Sequence, residues 1–214
     1  TLANVQIDAV ASVTSDNVVN SVEAGAVTIA GSVIDIESGQ PVNLSITDSV
    51  NAPVVAVTAV DDAGGWSAVV DLASLNDGSL TVNVTSQDIA GNADSDALVF
   101  AKDTVVSITT AFSDPDTINA AEAVATGIEG DVADTEDGGT VNFSVVDIDG
   151  GSVAGSATIS LAATPDWSDL AVDVTGLVDG QLLLTATTVD AAGNSAQARD
   201  TITLDTLAAL FISE

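Results

Sequence analysis

Apolar and polar residues alternate with a period of two through short runs of the chain. Val27-Thr28-Ile29, Val42-Asn43-Leu44-Ser45-Ile46, Val55-Ala56-Val57-Thr58-Ala59-Val60 and Leu80-Thr81-Val82-Asn83-Val84-Thr85 are the clearest. Alternation of this kind puts every second side chain on one face, which predicts strands with one face on a core. Between the runs lie clusters of Gly, Asn and Asp, as at Asp61-Asp62-Ala63-Gly64-Gly65 and Asn76-Asp77-Gly78. These residues supply positive φ or close Asx-turns, and turn clusters at intervals of roughly 8 to 12 residues predict a β-sandwich. No segment sustains helical periodicity. Asn119 to Val124 has room for one helical turn, although an irregular crossing between the first two strands is the favoured reading.

The pattern occurs twice. Asp88-Ile89-Ala90-Gly91-Asn92 recurs as Asp190-Ala191-Ala192-Gly193-Asn194, 102 positions later. Leu75-Asn76-Asp77-Gly78 recurs as Leu177-Val178-Asp179-Gly180, Asp103-Thr104 as Asp205-Thr206, and the two Trp residues, Trp66 and Trp167, are equivalent. Toward the front Glu23 matches Glu122, and Ile29-Ala30-Gly31-Ser32-Val33 matches Ile128-Glu129-Gly130-Asp131-Val132, at a slightly shorter offset. A small length change in a loop accounts for the difference, since loops absorb insertions cheaply. The expected organisation is domain 1 over residues 1–103, domain 2 over 104–205, and the first strand of a third copy over 206–214. Each Trp heads a strand and is expected to anchor a core. Four residues separate Phe100 from Val105 and reach at most about 14 Å when extended, so the two domains are expected nearly to touch.

Composition narrows the function. Aliphatic and β-branched residues dominate an apolar content of 46%, with aromatic residues at only 3%, which suits strands. Two basic residues, Lys102 and Arg199, stand against 32 acidic ones, for a formal net charge of −30. Such a charge repels a phosphate backbone and an anionic bilayer, so neither nucleic acid nor membrane is an expected partner. The alternating apolar content separates the chain from disordered acidic tails. With no Cys and no His, it lacks a disulfide frame, thiolate or imidazole metal ligands, and the usual general base and nucleophile, which counts against an enzyme. No run of about 18 apolar residues and no leader-like pattern occurs, and the lack of Met suggests an excised fragment.

The paired Asp-x-Ala-Gly-Asn motifs, the Leu-x-Asp-Gly turns, the Trp opening a strand and the Asp-Thr at each boundary resemble the bacterial immunoglobulin-like repeats of giant RTX-type adhesins. The resemblance covers essentially the whole chain. It implies an all-β fold of two tandem immunoglobulin-like β-sandwich domains arranged end to end, at the extracellular surface of a bacterium. It also implies that the chain belongs to a long row of repeats, secreted by a type I system, that holds a terminal binding domain away from the cell. Calcium at the junctions stiffens the row in that family.

In such a sandwich, loops joining successive strands fall alternately at the two poles. The exit pole of domain 1 is therefore expected to carry Asp16, Glu23, the Asn76-Asp77-Gly78 turn and Asp103. The entry pole of domain 2 is expected to carry Asp134 to Asp137 and the loop from Asp190 to Asn194. Two carboxylates about 5 Å apart repel by around 1 kcal/mol in water and by more when partly buried. With two basic residues in the chain, a bound cation is the expected compensation, and an all-oxygen ligand set from several flexible loops selects Ca2+. The expected ligands are Asp103 as the bridging residue, Glu23 as a bidentate ligand, and Asp190 closing the site from domain 2. Asp16, Asp77 and Asp134 form a second set, and Asp88 and Asp205 are half-sites whose partner domains lie outside the chain. The competing reading is that Asp88 and Asp190 cap a turn, that Asp77 and Asp179 each form an Asx-turn, and that the remaining acids solubilise a surface. Asp147-Ile148-Asp149-Gly150 is a further calcium-loop candidate, without the Glu that ends an EF-hand loop and without a counterpart in domain 1.

The favoured function is thus a calcium-rigidified spacer, non-enzymatic and monomeric, whose partners are neighbouring repeats of the same chain. The alternative is a ligand-binding module for a glycan, a protein or an ice surface, which calls for an exposed aromatic or a flat Thr-rich face. Neither Thr109-Thr110 nor Thr187-Thr188 extends into such an array. A glycosidase-like carboxylate pair needs a cleft that two small sandwiches do not offer.

Overall fold

The computed structural model describes residues 2–10, 17–114 and 116–207. The chain divides into two compact units, Thr1–Val105 and Val106–Glu214. Both are β-sandwiches, and no helix occurs among the described residues.

Among the described residues, unit 1 has eight strands: β1 (Asn4–Val10), β2 (Val18–Val19), β3 (Val27–Ile34), β4 (Pro41–Thr47), β5 (Val54–Ala59), β6 (Gly65–Val70), β7 (Gly78–Gln87) and β8 (Ala93–Lys102). One sheet has the order β1-β3-β6 and the other β2-β8-β7-β4-β5. Every pairing is antiparallel except β2 with β8, where the chain crosses from the first sheet to the far edge of the second. The period-two runs are β3, β4, β5 and β7. Their alternate residues Val27, Ile29, Val42, Leu44, Ile46, Leu80, Val82 and Val84 are buried between the sheets with Trp66 and Phe100.

Unit 2 repeats the plan with its first two long strands broken. It has β9 (Ser107–Ile108), β10 (Ala111–Phe112), β11 (Thr117–Ile118), β12 (Thr126–Gly130), β13 (Val132–Ala133), β14 (Thr140–Val146), β15 (Ser152–Thr158), β16 (Trp167–Val172), β17 (Gly180–Val189) and β18 (Ser195–Leu204). The sheets are β10-β12-β16, the separate pair β13-β9, and β11-β18-β17-β14-β15. Trp167, Ile128, Val141, Leu182, Leu184 and Leu204 fill the core.

The drift in repeat spacing has two local causes. The turn between β15 and β16 is longer than that between β5 and β6, and a register shift in the β12–β16 pairing adds one more residue to β16. The repeated glycine in the third strand has a steric cause. A Cβ on Gly31 would press on the Gln6 carbonyl and come within 2.5 Å of the Trp66 ring, and one on Gly130 would meet Thr109 and the Trp167 indole. Each Trp therefore lies across a strand that can carry no side chain at that point. Both rings are buried, as expected of core anchors.

Candidate functional site

Antiparallel connectivity sorts the loops of each unit. In unit 1 those joining β2 to β3, β4 to β5 and β6 to β7 lie at the pole from which the chain leaves, and those joining β3 to β4, β5 to β6 and β7 to β8 at the pole where it enters. Unit 2 follows the same rule. Glu23, Asp77 and Asp103 are accordingly at the exit pole of unit 1. Asp134 and Asp190 are at the entry pole of unit 2, Asp88 at the entry pole of unit 1, and Asp205 at the exit of unit 2. Asp16 lies outside the described residues, as does most of the expected third-copy strand.

At each pole the carboxylates accept hydrogen bonds from loop amides, which a turn otherwise leaves without acceptors. Asp77 takes the Thr104 amide at 2.9 Å, the Thr104 hydroxyl at 2.9 Å and the Lys102 ammonium at 3.0 Å. Asp179 takes the Thr206 amide at 3.1 Å and its hydroxyl at 2.8 Å. The Leu-x-Asp-Gly turn and the Asp-Thr boundary are thus two halves of one clamp, which fastens the end of the last strand to the preceding turn. Burial opposes ionisation of Asp77, but the Thr104 amide and the Lys102 ammonium outweigh it and hold the carboxyl below its usual range. Asp103 and Asp205 are held by their backbones: their amides donate to Val19 at 3.0 Å and Ile118 at 2.9 Å.

The expectation that protein supplies no positive charge at these poles is corrected by Lys102. Its side chain is 5% exposed, and its ammonium donates to the Leu75 carbonyl at 2.7 Å as well as to Asp77. The aliphatic stem packs inside the sandwich and only the charged end reaches the turn. Leu204 occupies the equivalent place in unit 2, where the clamp works without a cation.

Glu23 and Asn20 form a reciprocal cap. The Asn20 amide donates to Glu23 Oε2 at 3.0 Å, and the Val22 and Glu23 amides donate to Asn20 Oδ1. Asn119 and Glu122 repeat the arrangement, with an amide bond of 2.8 Å to Glu122 Oε2. Each cap closes a single turn, sealed by Ala24 on the Asn20 carbonyl and Ala123 on the Asn119 carbonyl. Residues 119–124 therefore make the one helix-like turn that the sequence weighed below an irregular crossing.

Asp88 and Asp190 organise the loops of the Asp-x-Ala-Gly-Asn motif. Asp190 accepts the Asn194 amide at 2.8 Å on one oxygen and the Asn194 side-chain amide at 2.8 Å on the other, and Asp88 binds Asn92 in the same way. Gly91 and Gly193 have φ of 89° and 87°, a conformation that side chains resist, so the Gly of the motif is dictated by the turn. Glu37 and Glu136 brace this loop from its neighbour, each through a 3.0 Å bond, to the Ile89 and Ala191 amides. Asp134 sits in the left-handed region at φ 55°, as Asp35 does at 56°.

The Asp147 loop has a counterpart, contrary to the sequence reading. Asp48 accepts the Val50 and Asn51 amides on Oδ1 and reaches the Asn76 amide at 2.7 Å with Oδ2. Asp147 accepts the Asp149 and Gly151 amides and reaches the Val178 amide at 2.9 Å. Both tie the turn after β4, or after its equivalent β14, to the turn before the Leu-x-Asp-Gly glycine. The Asn76 amide chiefly holds the Asp48 carboxyl well below its ordinary range, and the Val178 amide does the same for Asp147. The equivalence was legible at the shorter front offset of the repeat. Asp94, Asp96 and Asp200 carry no such mark: they bind the Val5, Ile7 and Phe112 amides of the other sheet, a role visible only in three dimensions.

These oxygens are hard donors of the kind calcium takes. Within either unit, however, no three acidic side chains among the described residues gather to hold a metal ion. The chemistry of the donors fits calcium.

No family model matches the chain, and no curated protein does. Solved structures do. A 1.5-MDa bacterial ice-binding adhesin, studied for host cell surface retention, is 29% identical over 96% of this chain and 65% of its own, with a TM-score of 0.55. A Ca2+-stabilized adhesin with which an Antarctic bacterium reaches out and binds ice is 29% identical over 98% of this chain and 50% of its own, with a TM-score of 0.54. A bacterial immunoglobulin-like domain from the M. primoryensis ice-binding adhesin is 31% identical over 48% of this chain and 96% of its own, with a TM-score of 0.31. The chain thus spans between half and two thirds of the length of the two longer structures.

Proposed function

Because the chain belongs to the immunoglobulin-like extender repeats of large RTX-type bacterial adhesins, we propose that it is a non-catalytic spacer segment, stiffened by calcium, that holds a distal binding region away from the cell surface. The observation that carries this reading is similarity along 98% of the chain to an adhesin described as Ca2+-stabilized. The poles support it: every loop there is braced by carboxylates, so the acids are already ordered before an ion arrives. Ordered ligands lose less entropy on binding, which favours affinity. The residues proposed to meet calcium remain Glu23, Asp77 and Asp103 from the pole that ends unit 1, with Asp134 and Asp190 from the pole that begins unit 2. Asp88 and Asp205 serve the junctions with further repeats.

Lys102 bears on the affinity. An ammonium held against Asp77 lowers the negative potential at the exit pole of unit 1. The exit pole of unit 2, with Leu204 in that place, is the more attractive to a cation.

Small-angle scattering of the whole chain, first in millimolar calcium and then in chelator, tests the proposal. A calcium-dependent maximum dimension that shortens on chelation supports the spacer. An unchanged profile, with no heat of calcium binding by calorimetry, overturns it.

A further inference from the structure

The chain enters each unit at one pole and leaves it at the other, so tension on its ends acts on the first and last strands. In unit 1 these two strands lie side by side and run the same way. Asp94 of β8 accepts the Val5 amide of β1 at 3.0 Å, and Asp96 accepts the Ile7 amide at 2.9 Å. The Asn4 side-chain amide adds a bond of 3.2 Å to Asp94. Pulling draws β1 toward the entry pole and β8 toward the exit pole. All three bonds cross the line along which the two strands slide, and the β1–β3 ladder is loaded together with them rather than opened bond by bond. The far end of β8 is held again where the buried Lys102 ammonium donates to the Leu75 carbonyl and to Asp77. Unit 2 has the same load path with fewer fastenings. Ala196 and Ala198 stand where unit 1 has Asp94 and Asp96, and Leu204 stands where it has Lys102. Among the described residues one carboxylate, Asp200, reaches the first strand there, at the Phe112 amide and 2.9 Å.

We propose that Asp94 and Asp96 are load-bearing pegs between the first and last strands of unit 1, and that under tension unit 2 opens before unit 1. Bonds loaded in shear resist together, whereas bonds opened in sequence fail one at a time. A peg between the two pulled strands must break before either can leave, so it acts on the unfolding barrier itself. Forced unfolding is governed by that barrier, and interactions already broken at its top are the ones that slow unfolding. Each peg is a bond from an amide to a carboxylate, of the charge-assisted kind that is stronger than a neutral one. A segment graded in this way lengthens at unit 2 under a load that unit 1 still bears, which limits the force passed along a row of repeats. Its use rests on the spacer reading above, but the grading itself requires no calcium.

Single-molecule force spectroscopy of the full chain, pulled by its two ends in chelator, provides the test. Two unfolding events are expected at unequal force, each lengthening the chain by roughly 30 nm. Asp94→Ala combined with Asp96→Ala is expected to speed the higher-force event about tenfold or more at a fixed load and to leave the lower one unchanged. Asp200→Ala is expected to speed only the lower one. Asp88→Ala removes two bonds to Asn92 inside one loop and none between the pulled strands, so it lowers the urea midpoint without moving either force. Circular dichroism checks the fold of each variant, and Asp96→Ala alone is read in the same way if the double variant does not fold. Two events at one force overturn the proposal. So does a higher-force event that is unmoved by loss of both pegs, or one that Asp88→Ala weakens as much. Because the pulling is done without calcium, failure here is distinct from failure of the spacer reading, which the scattering profile decides.

Discussion

The Lys102 ammonium and the Asp77 carboxylate meet at 3.0 Å where the chain leaves unit 1, one of the protein's two basic side chains placed beside the turn that fastens its last strand. Unit 2 performs the same fastening with Leu204 and no cation, so the lysine adds to a clamp that stands without it.

Lys102→Leu is therefore expected to cost about 1 kcal/mol, because Leu204 demonstrates that an apolar side chain packs there and only hydrogen bonds are lost. Lys102→Ala, which also leaves a void, is expected to cost about 2 to 3 kcal/mol. Urea unfolding of the two variants beside the parent measures the difference.

The buried pair of Asp190 and Asn194 predicts a second loss. Asp190→Ala leaves the Asn194 amide and side chain without their acceptor, an expected cost of about 1 to 3 kcal/mol. Asp190→Asn retains the shape but surrenders the charge, and is expected to lose less. Denaturant midpoints, followed by the nearby loop's hydrogen exchange, distinguish the two.

Gly31 and Gly130 admit no side chain. Gly31→Ala forces Trp66 off its strand or breaks the β1–β3 pairing, since the added carbon presses on the Gln6 carbonyl. Overpacking of this kind typically costs about 1 to 3 kcal/mol. Gly25→Ala, where nothing lies within 4 Å, is the control and is expected to be neutral or nearly so. Intrinsic fluorescence of Trp66 and Trp167 reports on both.

Acid should weaken the fold. Asp77, Asp48, Asp88 and Asp147 are all held below the ordinary carboxylate value of 3.8 in the folded protein. A group with a depressed folded pKa contributes stability that is fully present above its unfolded value and is lost as pH falls through the folded one. Stability is therefore expected to decline below about pH 3.8, as these carboxylates take up protons. Asp77→Asn should remove part of that decline. Urea midpoints at a series of pH values test the sign, and a midpoint that rises steadily from pH 3.8 to pH 2 contradicts it.

Most of the architecture was written in the order of residues. Alternation of side chains in β3, β4 and β7 places half of each strand in a core, because a strand has only two faces, whereas in β5 the same alternation leaves Val55 and Val57 outward. The doubled Asp-x-Ala-Gly-Asn and Leu-x-Asp-Gly motifs mark turns whose geometry is local, so Gly91, Gly193, Asn92 and Asn194 had no other conformation to explain them. What the tertiary structure decided is which carboxylate serves which amide. Asp77 holds Thr104, Asp48 holds Asn76, Glu37 holds Ile89 and Asp96 holds Ile7, partners 27, 28, 52 and 89 residues apart. Such pairings depend on the stacking of loops and sheets after the chain has folded, and a carboxylate in sequence looks the same whether it faces water, an ion or a backbone N–H. Lys102 is the same lesson in reverse: alternation puts it on the inward face with Leu98 and Phe100, but only the turn brought over its end by β7 and β8 supplies the carbonyl and carboxylate that make burial of an ammonium tolerable.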